Sequence, residues 1–532
     1  MTRRDWRGNP VSTDSADALD ASERALWRMM SFYGAPLDEL DAAVAADPRW
    51  LLPRLVRAGF LLSLTEPALV GAAHAALDEA EALASAGNDR ERCHLVALRL
   101  LAAGDWTGAG VAWQRVLDDH PRDALALQWA HLFDFYRGDA AQLCERVGRA
   151  LPAWSESDPL LPYVLGQHAF GLEETGRYDE AEDTGRRALA GTARVPWAIH
   201  AVAHVMEMQG RHDAGSAWLA GWRPHWAEGN GFAGHLGWHE ALFALERLDH
   251  ERALAVFDSY LRADQNEITL QRVDAASLLW RLALQGADVG DRWSMLLAAW
   301  PLESDAAGLS AFNDVHALLA LIGAGDLGRA DRWRQLSLDR AEAGGPWNRA
   351  VSRDIAAPLM RGLLAFARGR NDEAIDAILP LRPAARLGGS HAQRDVVDQT
   401  LLAAAARGAN GDTALDVVGA RARSARRVDR DHSGRGDRVR RRATMPTAPM
   451  PASSSASVTG SGSGTADTVG TAAVNRPLAL TNWSCGSSQV TSTVKVCRAS
   501  IIATPPPLVT SAWMNCESTK PAKQFGHITW VR

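Results

Sequence analysis

The stretch GRYDEAE (Gly176–Glu182) is followed, 34 residues on, by GRHDAGS (Gly210–Ser216), and this pair decides how the chain is read. Each heptapeptide holds a Gly, a large or polar residue two places on, and a small residue five places on. In the first these are Gly176, Tyr178 and Ala181; in the second, Gly210, His212 and Gly215. The pattern also fits Gly104, Trp106 and Ala109, then Gly325, Leu327 and Ala330, then Gly369, Asn371 and Ala374. Leu248, His250 and Ala253 continue it with Leu in the Gly position, and Gly104 to Gly138 is again 34 residues. The intervening segments are rich in Ala, Leu, Glu and Arg at helical spacing, with no sustained strand alternation.

A 34-residue period with this pattern is the tetratricopeptide signature. The Gly ends one helix in a left-handed turn that a Cβ would oppose. The small residue lets the returning helix approach closely, and neighbouring hairpins stack on a continuous core. The fold expected is therefore all-α, a tetratricopeptide-type helical-hairpin superhelix, or α-solenoid. Its expected bounds are residues 12–419, after a flexible N-terminus of residues 1–11. Residues 264–300 keep helical periodicity but lose the Gly phase. SHAQRDVVDQTLLAAAARG, ending at Gly408, reads as the last convincing helix.

From residue 420 the character changes. A basic run between Arg421 and Arg442 gives way to Ser/Thr/Gly/Pro-rich sequence, and all three Lys (Lys495, Lys520, Lys523) lie there. Residues 420–532 read either as a low-complexity disordered tail or as an out-of-frame extension. The formal charge of −6 hides this asymmetry. The long body is Lys-free and acidic, which argues against nucleic-acid binding by the repeats. Two isolated Cys in that body, Cys93 and Cys144, have no metal-type spacing and suit a reducing compartment. The N-terminus lacks an apolar signal region, and no run approaches the ~18–20 apolar residues of a membrane span. The expectation is a soluble, cytoplasmic protein with no membrane association.

Chemistry concentrates between Pro196 and Glu246. PWAIHAVAHVMEM carries His200 and His204, and GHLGWHEALFALE carries His235 and His239. Each pair is spaced i, i+4, so both rings share one helix face. Glu207 falls on the same face as the first pair, and Glu246 on that of the second. Four further polar positions recur later: Asp314 and His316, then His391 and Asp395, the last spaced to orient the His391 ring. If the inner helices line a concave face, these groups can converge. Trp218, Trp222, Trp226 and Trp238 are placed to wall an aromatic pocket beside them. Two His pairs supply up to four nitrogen ligands for a divalent transition metal, with Glu207 or Asp314 as base or further ligand. HAVAH lacks the Glu of a zincin helix, and no P-loop, dinucleotide fingerprint or nucleophile elbow is present.

Four stretches carry a resemblance: Ala169-Phe-Gly-Leu-Glu-Glu-Thr-Gly-Arg-Tyr-Asp-Glu-Ala-Glu182, the segment from Trp197 to Arg211, His235-Leu-Gly-Trp-His239, and Ser390-His-Ala-Gln-Arg-Asp395. Together they resemble the tetratricopeptide repeat protein 38-like family over roughly residues 12–408. The resemblance implies an all-α superhelix and a cytoplasmic, soluble protein, and brings no defined activity. Two functions follow as expectations. One is a binding or scaffold protein that takes a peptide, protein or small ligand on its concave face. The other is a metal-binding protein or enzyme built on His200, His204, His235 and His239.

Overall fold

The computed structural model describes residues 3–262, 268–300, 302, 306–409, 412 and 416, and the expected tail at 420–532 lies outside them. Among the described residues the fold is all-α. The first helices are α1 (Ala16–Ser31), α2 (Leu37–Ala46), α3 (Leu52–Ser63), α4 (Val70–Ala82), α5 (Asp89–Ala102), α6 (Trp106–Asp119), α7 (Ala124–Tyr136) and α8 (Ala140–Ala150). Then come α9 (Leu161–Glu174), α10 (Tyr178–Gly191), α11 (Pro196–Met208), α12 (His212–Trp222), α13 (Ala233–Glu246), α14 (His250–Tyr260) and α15 (Thr269–Leu284). The last are α16 (Arg292–Ala299), α17 (Ala311–Gly323), α18 (Leu327–Ala343), α19 (Pro346–Val351), α20 (Ala357–Ala367), α21 (Asn371–Ile378) and α22 (His391–Arg407).

One turn joins the two helices of eight hairpins, from α5–α6 to α20–α21. Its pivot has φ between 61° and 80° at Gly104, Gly138, Gly176, Gly210, Leu248, Gly286, Gly325 and Gly369. At each pivot the next residue's N–H closes a bond of 2.7–3.0 Å to the carbonyl five residues back, from Asp105 to Leu100 through Arg370 to Ala365. That is the Schellman closure, which satisfies carbonyls left open at a helix end. Asp105, Asp139, Asp249 and Asp326 then cap the following helix. Two positions refine the sequence reading. Leu248 holds the left-handed conformation without Gly, at a cost of roughly 1 kcal/mol or more. Gly286 restores the phase within residues 264–300; longer loops, not a missing repeat, had hidden it.

The small position does what the pattern requires. Ala109, Ala181, Ala253, Ala330 and Ala374 are fully buried where the two helices touch. A Cβ on Gly215 would stand 2.2 Å from Phe243. The N-terminus is anchored more firmly than a flexible lead. Arg7 is buried and pairs with Glu23 at 2.7 Å, and Asp5 lies against Arg7 and Arg90. Ion pairs of this kind leave no trace in hydrophobic periodicity.

The array turns back on itself. Trp347 N–H bonds the Gly104 carbonyl, Thr269 bonds Glu66, and Asn313 bonds Thr65. α22 enters the interior, where Trp280 Nε1 donates to Thr400 and the His391 N–H donates to Glu174. The first helices of successive hairpins are consequently buried nearly all round: Pro196–Met206 in α11, Leu236–Leu245 in α13 and Ala311–Ile322 in α17.

This closure can be tested at two glycines. Gly176 has φ +77° and nothing within 4 Å of where a Cβ would stand, whereas at Gly138, φ +64°, a Cβ would meet the Ala385 carbonyl oxygen at 1.8 Å. Gly176→Ala should cost about 1 kcal/mol from the backbone alone. Gly138→Ala should cost at least about 2 kcal/mol more, because the contact is with backbone that must move. Urea denaturation of the two variants checks this, and equal losses would mean that the Gly138–Ala385 contact does not form.

Candidate metal centre

The two His pairs meet. α11 and α13 are the inner helices of adjacent repeats, so a residue on one lies beside the residue one repeat on. His200, His204, His235 and His239 each place a ring nitrogen within 4.8 Å of the others. His200 Nε2 and His235 Nε2 are 3.1 Å apart, and the His204 and His239 ring centres 4.4 Å. His200, His204 and His239 are fully buried, and His235 retains a small exposed edge.

Carboxyl groups stand behind three of the rings. His235 Nδ1–H donates to Asp274 on α15 at 2.7 Å, and His239 Nδ1–H donates to Glu207 on α11 at 3.1 Å. His204 Nδ1 faces Glu173 on α9 at 3.5 Å. A His whose Nδ1 is held by a carboxylate presents a bare Nε2 of raised basicity. Burial, then the neighbouring imidazoles, hold His200, His204 and His239 well below the usual imidazole range, so these rings are neutral and fit to ligate. Burial first, then Glu174 and Glu207, pushes the Glu173 carboxyl well above the usual range.

Aromatic rings close the remaining sides. Phe170 and Trp197 lie 5.2 Å from the His200 ring, and Phe232 lies 4.9 Å from His235. Trp238 stacks on His235 at 5.3 Å. Of the Trp residues expected to wall a pocket, Trp238 does so. Trp226 packs on Tyr260, and Trp218 and Trp222 pair with each other on α12.

The later candidates are placed differently. His391 sits at the start of α22, with Nε2 donating to the Glu174 carbonyl at 2.9 Å. It thus reaches the edge of the cluster through Glu174, which also holds Arg394 at 3.2 Å. Asp395 accepts from Gln399 one turn along α22. His316 Nδ1–H donates to its own helix at Phe312 O, 2.8 Å away. Asp314 accepts the Gly308 N–H in the loop before α17. Glu246 stands 3.9 Å from His212, away from the four rings. Asp274 and Glu173 were not singled out from the sequence. Each is an ordinary acidic residue in its own helix, and only the stacking of repeats gives it a partner. Their one signal is position: Asp274 follows His235 by 39 residues, about one repeat.

No protein-family model matches the chain. Among solved structures, a tetratricopeptide repeat protein from Parabacteroides merdae ATCC 43184 is 12% identical with a TM-score of 0.28, covering 59% of this chain and 99% of that one. The P58(IPK) TPR domain is 13% identical with a TM-score of 0.19, covering 67% of this chain and 96% of that one. The repeated turn and the paired helices, rather than these likenesses, carry the fold assignment.

Asp314 gives a test independent of the four histidines. Burial raises its carboxyl to about 7, opposed only by the Gly308 N–H. The folded protein therefore binds a proton there that the unfolded chain releases near pH 4. Stability from this position is lost as pH rises from about 4 through 7. Asp314→Asn, which keeps the acceptor, should be more stable than the parent above pH 7 by on the order of a few kcal/mol, with the gap closing toward pH 4. Denaturation at pH 5 and pH 8 measures it, and a gap independent of pH would remove the account.

Proposed function

We propose that the chain is a metal-binding helical-repeat protein whose centre is a divalent transition ion held by His200, His204, His235 and His239. The observation that carries this reading is the set of polar atoms left without partners. His200 Nδ1, both nitrogens of His204, His239 Nε2 and both oxygens of Glu173 are buried and make no hydrogen bond. At ~1–3 kcal/mol for each such atom, the sum rivals the whole net stability of a domain. A proton between His200 and His235 relieves one contact. A divalent cation would take up the free His204 Nε2 and His239 Nε2 together with the Nε2 atoms of His200 and His235.

The donor set narrows the ion. Four neutral imidazoles suit Zn, Cu, Fe or Ni and disfavour the oxygen-seeking Mg and Ca. In zinc sites four protein ligands make a closed tetrahedron. Of the four rings that would hold the ion, only His235 keeps an exposed edge.

The scaffold reading, with a peptide, protein or small ligand on the concave face, rests on fold class alone. It is the second choice because the inner helices are buried on nearly all sides. No helix among the described residues is long and apolar enough to cross a membrane.

Elemental analysis of the full chain should give one transition-metal ion per chain, lost in the His200→Ala/His204→Ala variant. Asp274→Asn should keep the site but weaken it ~10–100-fold, the usual cost of losing a carboxylate behind a ligand. A parent that binds no Zn, Cu, Fe or Ni after reconstitution would end this reading.

A further inference from the structure

An ion on the four Nε2 atoms leaves part of the cluster unmet. His204 Nδ1 and both oxygens of Glu173 still make no hydrogen bond, and both side chains are fully buried. Glu174, the next residue on α9, joins them. Glu173, Glu174 and His204 each offer one ligand atom, and the three atoms lie within 4.8 Å of one another. His204 is thus common to two convergent sets. One is the four imidazoles of α11 and α13; the other is two carboxyl groups from α9 with one imidazole from α11.

The spacing is that of a coordination shell. Ligand atoms ~2.0–2.2 Å from a tetrahedral ion stand about 3.4 Å apart. His204 Nδ1 and Glu173 Oε2 are 3.5 Å apart, with no hydrogen bond between them. An ion occupies the space inside its own ligand shell, so no larger cavity is needed. Glu174 is held in place by neighbours on α22. Its Oε1 accepts the His391 N–H at 2.8 Å, and its Oε2 accepts from Arg394 at 3.2 Å and lies 3.5 Å from His391 Nε2. A carboxylate oxygen has two lone pairs, so these bonds leave Glu174 able to ligate. The His391 side chain is 39% exposed, which puts solvent one residue away from Glu174.

We propose that Glu173, Glu174 and His204 form a second cation site, and that the two sites together make a dinuclear centre bridged by His204. Carboxylate oxygen suits Mn²⁺ and imidazole suits Fe²⁺, so the mixed donor set takes a divalent ion of that kind. Filling both sites releases two protons to solvent. One leaves the Glu173 carboxyl, which burial keeps protonated; the other leaves the His204 ring, which becomes an imidazolate when both its nitrogens ligate. With three donors against four, and Arg394 beside one of them, this site is the weaker and fills second, when metal is added beyond the first ion. The dinuclear form rests on the four-ring reading. The second site does not, since it shares only His204 with it.

Mn²⁺ titration of the full chain, first loaded with Zn²⁺, tests this. Electron paramagnetic resonance counts the Mn²⁺ that stays free. A site with a Kd of ~10 μM is about nine-tenths filled at ~0.1 mM free Mn²⁺, so close to one bound Mn²⁺ per chain is expected there. Glu173→Gln should weaken binding by more than the ~10–100-fold lost with a mere outer partner, leaving little Mn²⁺ bound. His200→Ala, which strips a ligand from the four-ring site alone, should keep the Mn²⁺. No Mn²⁺ bound by the parent at that concentration overturns the proposal, as does binding that Glu173→Gln leaves unchanged. Pulsed resonance on the Zn-loaded parent should show one imidazole nitrogen coupled to Mn²⁺. Its absence overturns the proposal even if the Glu173 variant fails to fold. A chain that takes no Zn²⁺, yet binds Mn²⁺ in the His200 variant through Glu173, ends the four-ring reading and keeps this site.

Discussion

Eight hairpins, from α5–α6 to α20–α21, depend on a backbone that turns left-handed at the end of the first helix. The turn is costly for any residue with a Cβ, and seven of the eight pivots are accordingly Gly. What the turn sets is direction. Because the same closure recurs, each second helix returns at a similar angle and packs its small residue on the first. The inner helices then line up side by side. Once they do, the ring of inner surfaces is narrow enough for late segments to reach early ones, as Trp347 reaches Gly104 and His391 reaches Glu174. Burial of the inner helices on both sides follows from that closure more than from their composition.

Burial on both sides changes what a polar residue means there. On an open concave face His200 or Glu173 would be solvated and unremarked. In this interior each must find a partner or destabilise the fold. Elsewhere the interior largely meets that demand: Arg90 pairs with Asp123 and His94 with the same carboxylate, and Arg146 pairs with Asp134. Around the four rings several such atoms remain without a hydrogen bond: His200 Nδ1, both nitrogens of His204, His239 Nε2 and both oxygens of Glu173. Single unpartnered atoms occur elsewhere, at His94 Nδ1, Trp113 Nε1 and His316 Nε2 among others, but the four rings and Glu173 gather several of them at one place.

Much of this was legible in the sequence, and the limits have physical causes. The hairpins were legible because turn chemistry is local: a Gly and a small residue at fixed offset report the fold without help from distant residues. Leu248 and Gly286 show where that local signal weakens, since a Leu can be forced into the turn and a longer loop can shift the phase. The His pairs were legible because i, i+4 spacing places both rings on one face whatever the surroundings. Asp274 and Glu173 were not, because their role exists only once helices from neighbouring repeats are side by side. Asp314 and His316 show the converse. They share the residue types of the site, but they sit on α17, where one is taken up by a loop N–H and the other by its own helix.

Repeat geometry nevertheless supplies a rule that reaches across that gap. Lateral neighbours on inner helices are about one repeat apart in sequence. His200 meets His235 at a separation of 35 residues, Glu207 meets His239 at 32, Asp274 meets His235 at 39, and Gln128 meets Gln167 at 39. Trp197 meets His131 at 66, about two repeats. A polar residue on an inner face therefore has its candidate partners in a window of a few residues, one or two repeats either side. Applied to His235, that window includes both His200 and Asp274, a second ligand and the carboxylate that orients the ring. The same periodicity that forms the fold thus specifies how its polar interior is wired, and a metal centre assembled from successive repeats needs no local motif such as HExxH. It needs only that suitable residues recur at the period of the stack.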